Sequence, residues 1–353
     1  MKKKVLIFLQ SGVGGAERVT VIIGKNIDPV KYDVVFCTIG NAADKQSIEN
    51  FIPQRFNKIS LPSLRGVKLL FALKRVLNRE RPNIVFSSIM YVNSKLLALS
   101  PFYPKTKFIV RNNNYLYTLS KVQKNTLRLF YRFADVVIAQ TEEMKKELTE
   151  KLKISPEKIF VLHNPVDTET IDAKKDECCP FDKSSKVIYV ASGRFHPVKG
   201  FDILIKAFGK VLLKQTNAEL HILGKTNDNC EEYYKEIADL VQKEKLSDHV
   251  FFEGFQLNPY VYMKNADCFV LSSRNEGLPN VMIESLYLGT PVAATKCIPI
   301  ISRIVCDGVN GFLAEPENVD SLSDAMLKAS ALGRVSNTYQ SASNGEFQRM
   351  FEL

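Results

Sequence analysis

The feature that most constrains this chain is a rhythm: short apolar runs alternate with helical stretches along nearly its whole length. Residues 2–165 carry KVLIFL, DVVFCTIG, the less apolar FNKISL, NIVFSSI, KFIVRNN, DVVIAQT and KIFVLHN. The rhythm dissolves in the polar, proline-interrupted TETIDAKKDECCPFDKSSK and restarts with KVIYVASG, ELHILG, HVFFEGF, DCFVLSS, PVAAT and GFLAEP. Runs of this kind, separated by helices, are what a parallel sheet covered on both faces requires. The expected fold class is therefore α/β, with two Rossmann-like domains. The boundaries are 1–165 for the first domain, 166–185 for a linker, 186–335 for the second domain and 336–353 for a short polar tail. At 353 residues, two domains also match the usual ~100 to 200 residues each.

Composition narrows the class further. No apolar run approaches the ~20 residues of a spanning helix, and MKKKVLIFLQSGVGG reads as a first strand rather than a signal peptide. The expected location is the cytoplasm. The seven cysteines (37, 178, 179, 230, 268, 297, 306) show no C-x-x-C spacing, which points to reduced packing residues rather than a disulfide frame or a zinc site. Charge is uneven: residues 1–177 hold 30 Lys and Arg against 17 Asp and Glu, while residues 178–353 hold 18 against 21. A basic first half attracts nucleic acid, an anionic membrane face or an acidic substrate. No helix-turn-helix, zinc-finger or RNP signature is present, so nucleic acid is the least favoured partner.

The chemistry concentrates in SSRNEGLPNVMIESLYLGTP, residues 272–291. A strand ending at Ser273 meets a helix, and Pro279 suits the first helical position, which makes Leu278 an N-cap without a capping oxygen. Such an end carries roughly half a positive charge and offers backbone donors to a phosphate or a sugar hydroxyl, and Gly277 permits close approach. Glu276 in the turn and Glu284 in the helix can reach one ligand. Solvated surface glutamates share this spacing, and a capping Asn280 would weaken the reading. In SGRFHPVKG, Arg194 and Lys199 stand in one glycine-bounded strand-to-helix loop suited to clamping a diphosphate, although a basic loop by itself is more often surface. His196, beside Pro197, reads as structural. The turn SGVGGAERV, with Gly14 and Gly15, can receive a phosphate or simply meet a need for positive φ. Arg111, Asn112 and Asn113 end a strand on the side where such sheets bind ligands, and a plain Asn-rich turn explains them equally well. The segment LSKVQKNTLRLFYRFA interleaves Lys121, Lys124, Arg128 and Arg132 with apolar residues. It fits a packed helix with a solvated charged face or, as the alternative, a helix resting on an anionic membrane. No Asp-x-Asp pair and no His–carboxylate cluster at ligand spacing occurs, so no metal is expected.

Together GGAERV, GRFHPVKG and EGLPNVMIE, in that order in two Rossmann-like halves, resemble the retaining glycosyltransferases of family GT4, over roughly residues 4–332. The resemblance implies the GT-B fold, with two domains facing across a cleft. It implies that Arg194 and Lys199 hold the diphosphate of a nucleotide sugar and Glu284 accepts from the ribose hydroxyls. Glu276 would contact the transferred sugar, and the backbone of Gly277, Leu278, Pro279 and Asn280 would meet sugar and phosphate. Phe255 would lie near the base, and Gly14 and Gly15 would close over the site. Family members often carry a histidine where this chain has Arg111, Asn112 and Asn113. They also generally end in a longer helix crossing back onto the first domain, in place of the short polar tail read here.

The function implied is transfer of a hexose or N-acetylhexosamine from a nucleotide-diphosphate sugar, with UDP the expected nucleotide, to a growing, lipid-linked glycan of capsule or lipopolysaccharide type. Retention of configuration, no cofactor, and peripheral attachment to the inner face of the cytoplasmic membrane through the basic first half complete the expectation. Two alternatives stand beside it. One is a non-catalytic sugar-nucleotide-binding partner of a glycan assembly complex, suggested by the tail. The other is a nicotinamide oxidoreductase, disfavoured because the G-x-G-x-x-G glycines are missing.

Overall fold

The computed structural model describes residues 2–40, 47–182, 185–224, 231–339, 341–342 and 344–352. The chain divides into two compact units, Met1–Val166 with Ser341–Leu353, and Asp167–Gln340. Among the described residues the first unit holds seven strands: β1 (Lys3–Gln10), β2 (Tyr32–Ile39), β3 (Asn57–Leu61), β4 (Ile84–Ser87), β5 (Lys107–Arg111), β6 (Val136–Ala139) and β7 (Ile159–Val161). They pair in parallel in the order β3-β2-β1-β4-β5-β6-β7. In β1 the five residues from Val5 to Leu9 are each fully buried, so both faces of the strand are covered and no polar alternation appears. Val5 stands opposite Val34 on one side and Ile84 on the other, and Phe36 and Phe86 extend the same core.

The second unit repeats the plan with β8 (Val187–Ser192), β9 (Ala218–Leu223), β10 (Val250–Gly254), β11 (Cys268–Leu271), β12 (Val292–Thr295) and β13 (Gly311–Ala314). Their order is β10-β9-β8-β11-β12-β13, again with parallel pairing. Every apolar run anticipated from the sequence is a strand. In each sheet the order turns back on itself beside the first strand, between β1 and β4 and between β8 and β11. In open parallel sheets the crevice for ligands lies at the carboxyl ends of the strands flanking such a reversal.

Two expectations are corrected. The tail, read as short and polar, is not an appendage: Asn344–Glu352 is a helix whose Phe347, Met350 and Phe351 are buried in the core of the first unit. The Phe351 ring lies 6.0 Å from that of Tyr32 and 6.3 Å from that of Phe86, and Lys31 pairs with Glu352 at 2.8 Å. A helix of nine residues is too short to persist alone, and burial of three large apolar side chains, worth about 1.5–3 kcal/mol each, supplies what propensity does not. The linker also contains structure. Thr168–Lys174 is helical, Asp167 caps it by accepting from the Thr170 N–H, and Ile171 is fully buried. Its polar residues hold it to the second unit, with Tyr287 donating to Asp172 at 2.8 Å and the Asn258 amide donating to the Lys174 carbonyl at 2.9 Å. Linker residues 183 and 184 lie outside the described residues.

The basic segment forms a helix, Lys121–Phe130, opened by a capping box between Ser120 and Gln123. Only Leu127 of that helix is buried. Val122 is 76% exposed, and Leu129 and Phe133 are also exposed, so these apolar residues do not pack inward as the commoner reading held. Among the cysteines, Cys37 and Cys268 are buried, and burial pushes the Cys37 thiol up to about 12. Cys178, Cys179 and Cys306 are exposed, and Cys230 lies outside the described residues.

Candidate functional site

At the reversal in the second unit, β8 and β11 run side by side, with Cys268 opposite Tyr189 and Phe269 opposite Val190. Each ends in a loop bearing predicted residues, Gly193–Gly200 after β8 and Ser272–Pro279 after β11. The two loops are bound to one another. Ser272 Oγ donates to the Lys199 carbonyl at 2.8 Å, and the Arg274 N–H donates to the Val198 carbonyl at 2.7 Å. Gly200 has φ +64, and a Cβ there would lie 2.2 Å from the Ser272 carbonyl oxygen. Only glycine meets both demands at that position, the left-handed backbone and the close approach.

This clasp brings Lys199 and Glu276 together. Lys199 Nζ lies 2.6 Å from Glu276 Oε1, with side chains 18% and 11% exposed, and Ser273 Oγ donates to the same oxygen at 2.6 Å. Arg194, in the same basic loop, is exposed and forms no ion pair among the described residues. His196 serves structure, its Nδ1 accepting from the Val198 N–H at 3.2 Å. Cys297, from the loop after β12, lies close enough to feel Glu276. Burial and then that carboxylate raise its thiol to about 12.

The helix after the Glu276 loop spans Asn280–Tyr287. Its N-cap is Pro279 with ψ 97, one residue later than expected, because the proline keeps an extended backbone instead of opening the helix. No side chain caps it, as the sequence suggested, and Asn280 is its first residue rather than its cap. Glu284, one turn on, is 6% exposed and Leu278 is buried, while Gly277 is half-buried. Phe255 follows β10, two strands from β8, which places it about 10 Å along the sheet edge from the basic loop.

Other predicted residues belong to the first unit. Gly14 is the N-cap of the helix Gly15–Lys25 and, like Pro279, supplies no side-chain acceptor. Arg111 is 1% exposed; its guanidinium donates to Asn113 Oδ1 at 2.9 Å and to Asn164 Oδ1. Asn112 is buried and donates to the Asn114 carbonyl at 2.7 Å. Asn113, half-buried, donates to the Ser88 carbonyl at 2.6 Å and accepts from Gln140 at 3.0 Å. Arg111 and Asn112 thus shape the turn from within, and Asn113 is the outermost of the three.

Sequence reasoning missed the group that ties the second-unit loops together. Arg274 forms a two-point ion pair with Asp202 at 2.7 Å and a second pair with Glu317 at 2.6 Å. Its partners stand 72 and 43 positions away, and no local spacing announces them. The hydrogen bonds it donates to Asp202, then those to Glu317, hold the guanidinium protonated well above its ordinary range. Burial alone would push the Asp202 carboxyl up, but hydrogen bonds from Arg274 and Tyr233 outweigh it and hold it below its usual value. Among the described residues no group of three or more His, Cys, Asp or Glu is arranged to hold a metal ion, and no helix is long and apolar enough to cross a membrane.

Comparison with known proteins places these loops in context. Residues 13–170 match the family described as Glycosyltransferase Family 4, and residues 180–344 match Glycosyl transferases group 1. An uncharacterised glycosyltransferase of Methanocaldococcus jannaschii is 30% identical over 285 residues, covering 76% of this chain and 68% of that protein. The N-acetylgalactosamine-N,N'-diacetylbacillosaminyl-diphospho-undecaprenol 4-alpha-N-acetylgalactosaminyltransferase of Campylobacter jejuni is 29% identical over 339 residues, 91% of this chain and 88% of that one. A crystal structure of Anabaena HepE in complex with UDP-glucose shares the fold, with a TM-score of 0.82 and 21% identity over 99% of this chain and 98% of that one.

Proposed function

This chain belongs to the family 4 glycosyltransferases and has their GT-B fold, and from that premise we propose that it moves a hexose or N-acetylhexosamine from a UDP-sugar to a hydroxyl of a lipid-linked glycan, with the anomeric configuration retained. The observation that carries the reading is the Lys199–Glu276 pair, at the sheet reversal and one loop from a helix start without a side-chain cap. Lys199 and exposed Arg194 supply positive charge where a leaving diphosphate gains negative charge. The amides from Gly277 to the helix start bound sugar and phosphate. Glu276 accepts from hydroxyls of the transferred sugar, Glu284 accepts from the ribose, and Phe255 lies against the base. The Campylobacter relative acts on a diphospho-undecaprenol-linked substrate and HepE binds UDP-glucose, which supports the acceptor and donor classes.

In the proposed reaction the bond between the anomeric carbon and the diphosphate oxygen breaks, and a bond to the acceptor oxygen forms on the same face. The acceptor proton passes to an oxygen of the departing UDP, so no enzyme nucleophile is needed. The two cations take the role that a metal plays elsewhere. In the first unit the Arg111–Asn113 turn serves the acceptor side, Asn113 making the contact while Arg111 and Asn112 hold it. The non-catalytic alternative drew on the tail, and with Phe347, Met350 and Phe351 buried that support is gone.

Peripheral membrane attachment belongs to the same proposal. Val122, Leu129 and Phe133 are exposed beside Lys121, Arg128 and Arg132, a pairing of apolar and basic groups that suits an anionic bilayer surface. Replacing the three apolar residues with Ser should reduce co-sedimentation with anionic vesicles and leave transfer to a soluble acceptor unchanged. Release of UDP from a panel of nucleotide sugars, with and without acceptor, tests the central reading. Arg194→Ala should abolish donor use and Glu276→Ala should chiefly lower turnover. A Glu276→Ala enzyme as fast as wild type would remove Glu276 from its role.

A further inference from the structure

Arg274 stands inside the loop that carries Glu276, yet its side chain is fully engaged by the protein. Nε donates to Glu317 Oε1 at 2.6 Å. Nη1 donates to the Pro197 carbonyl at 2.6 Å and to Asp202 Oδ1 at 2.7 Å. Nη2 donates to Asp202 Oδ2 at 2.7 Å and to Glu317 Oε2 at 3.2 Å. A guanidinium has five N–H groups, and all five have a protein acceptor, so none is left for a ligand. The acceptors come from elements that are distant in sequence. Pro197 is in the basic loop, Asp202 in the first turn of the helix Phe201–Leu212 that follows it, and Glu317 in the loop after β13. Glu317 takes a left-handed φ of +56, which a non-glycine residue adopts rarely and only where its surroundings hold it there. Tyr233 braces the far side, its hydroxyl donating to Asp202 Oδ1 at 2.9 Å.

We propose that Arg274 is a positioning residue of the donor site, cross-linking three loops so that Lys199 and Glu276 meet the donor at fixed separation. Besides it, the basic loop and the Glu276 loop are joined by the bond from Ser272 Oγ to the Lys199 carbonyl, the Arg274–Val198 backbone bond and the Lys199–Glu276 pair, and the diphosphate must disturb that pair. The clamp therefore keeps the two loops aligned at the stage of binding when their own ion pair opens. Lysine cannot replace it, since an ammonium offers three donors and no planar fork.

The assignment rests on the donor reading above, and its test has one arm that does not. The full-length chain and its Arg274→Ala and Arg274→Lys variants are compared by hydrogen exchange without ligand, and by UDP release with UDP-N-acetylgalactosamine as donor. Amides of residues 193–200 and 272–280 should both exchange about tenfold faster in either variant. Donor KM should rise about tenfold and the acceptor KM stay constant. A merely structural role would lower the apparent kcat with the folded fraction and leave donor KM unchanged, and that result overturns the proposal. So does faster exchange confined to residues 272–280. If the wild-type chain uses no nucleotide sugar, the donor reading fails, while loosening of both loops together still upholds the clamp and its absence still sinks it.

Discussion

Replacing Glu276 with Gln should tighten the grip on UDP while slowing sugar transfer. In the structure the Lys199 ammonium is held by Glu276 at 2.6 Å, and both side chains are largely removed from solvent. The same ammonium is assigned to the diphosphate, so product and carboxylate compete for one cation. An ion-paired hydrogen bond of this kind contributes up to about 3 kcal/mol net, and the bond that the ammonium could still make to an uncharged Gln carbonyl, charged on one side only, about 1.5–2 kcal/mol, near the lower end of the same range. The difference, about 1–1.5 kcal/mol, no longer opposes nucleotide binding in the variant and corresponds to roughly a five- to tenfold fall in the UDP dissociation constant. Removing a negative charge beside the diphosphate acts in the same direction. Titration calorimetry of UDP against wild type, Glu276→Gln and Lys199→Met measures the effect, with Lys199→Met expected to weaken binding. If the Gln variant binds UDP as the wild type does, or more weakly, the competition does not exist and the pair only holds the loops together.

Three further outcomes follow from the packing. Phe351→Ala empties a site against Tyr32 and Phe86 and should destabilise the first unit by about 3–5 kcal/mol, read by denaturant unfolding of the full chain. Gly200→Ala places a methyl against the Ser272 carbonyl in a left-handed turn, so donor affinity should fall and the melting temperature drop, and unchanged calorimetry of both would refute the close approach. Asp202 has its folded-state pKa depressed below the ordinary 3.8. Its contribution is therefore complete above that value and lost as pH falls through the folded-state pKa. The melting-temperature gap between wild type and Asp202→Asn should accordingly be constant near neutrality and shrink in acid below about pH 4, and a gap that widens in acid would contradict the sign.

The strands were legible because parallel strands covered on both faces need no polar alternation; Val5 to Leu9 and Cys268 to Leu271 announce themselves by composition alone. The candidate loops were legible for a related reason, since Gly200 and Pro279 report local backbone demands. Strand order is different. That β8 neighbours β11, and so that Lys199 meets Glu276 across 77 positions, depends on how the sheet is wound, which no run of residues encodes locally.

The misses share a cause. Asn344–Glu352 reads as polar because five of its nine residues are, yet its three large apolar side chains recur at helical spacing, and that spacing was the signal available. Thr168–Lys174 hid behind acids whose task is capping and cross-linking rather than solvation. Arg274 drew no reading from the sequence because an arginine's partners are invisible until distant loops converge. A donor site of this kind thus has two layers with different visibility. Backbone amides and glycines, carried by single turns, can be read along the chain, whereas the side-chain cross-links that set their geometry can be read only in space.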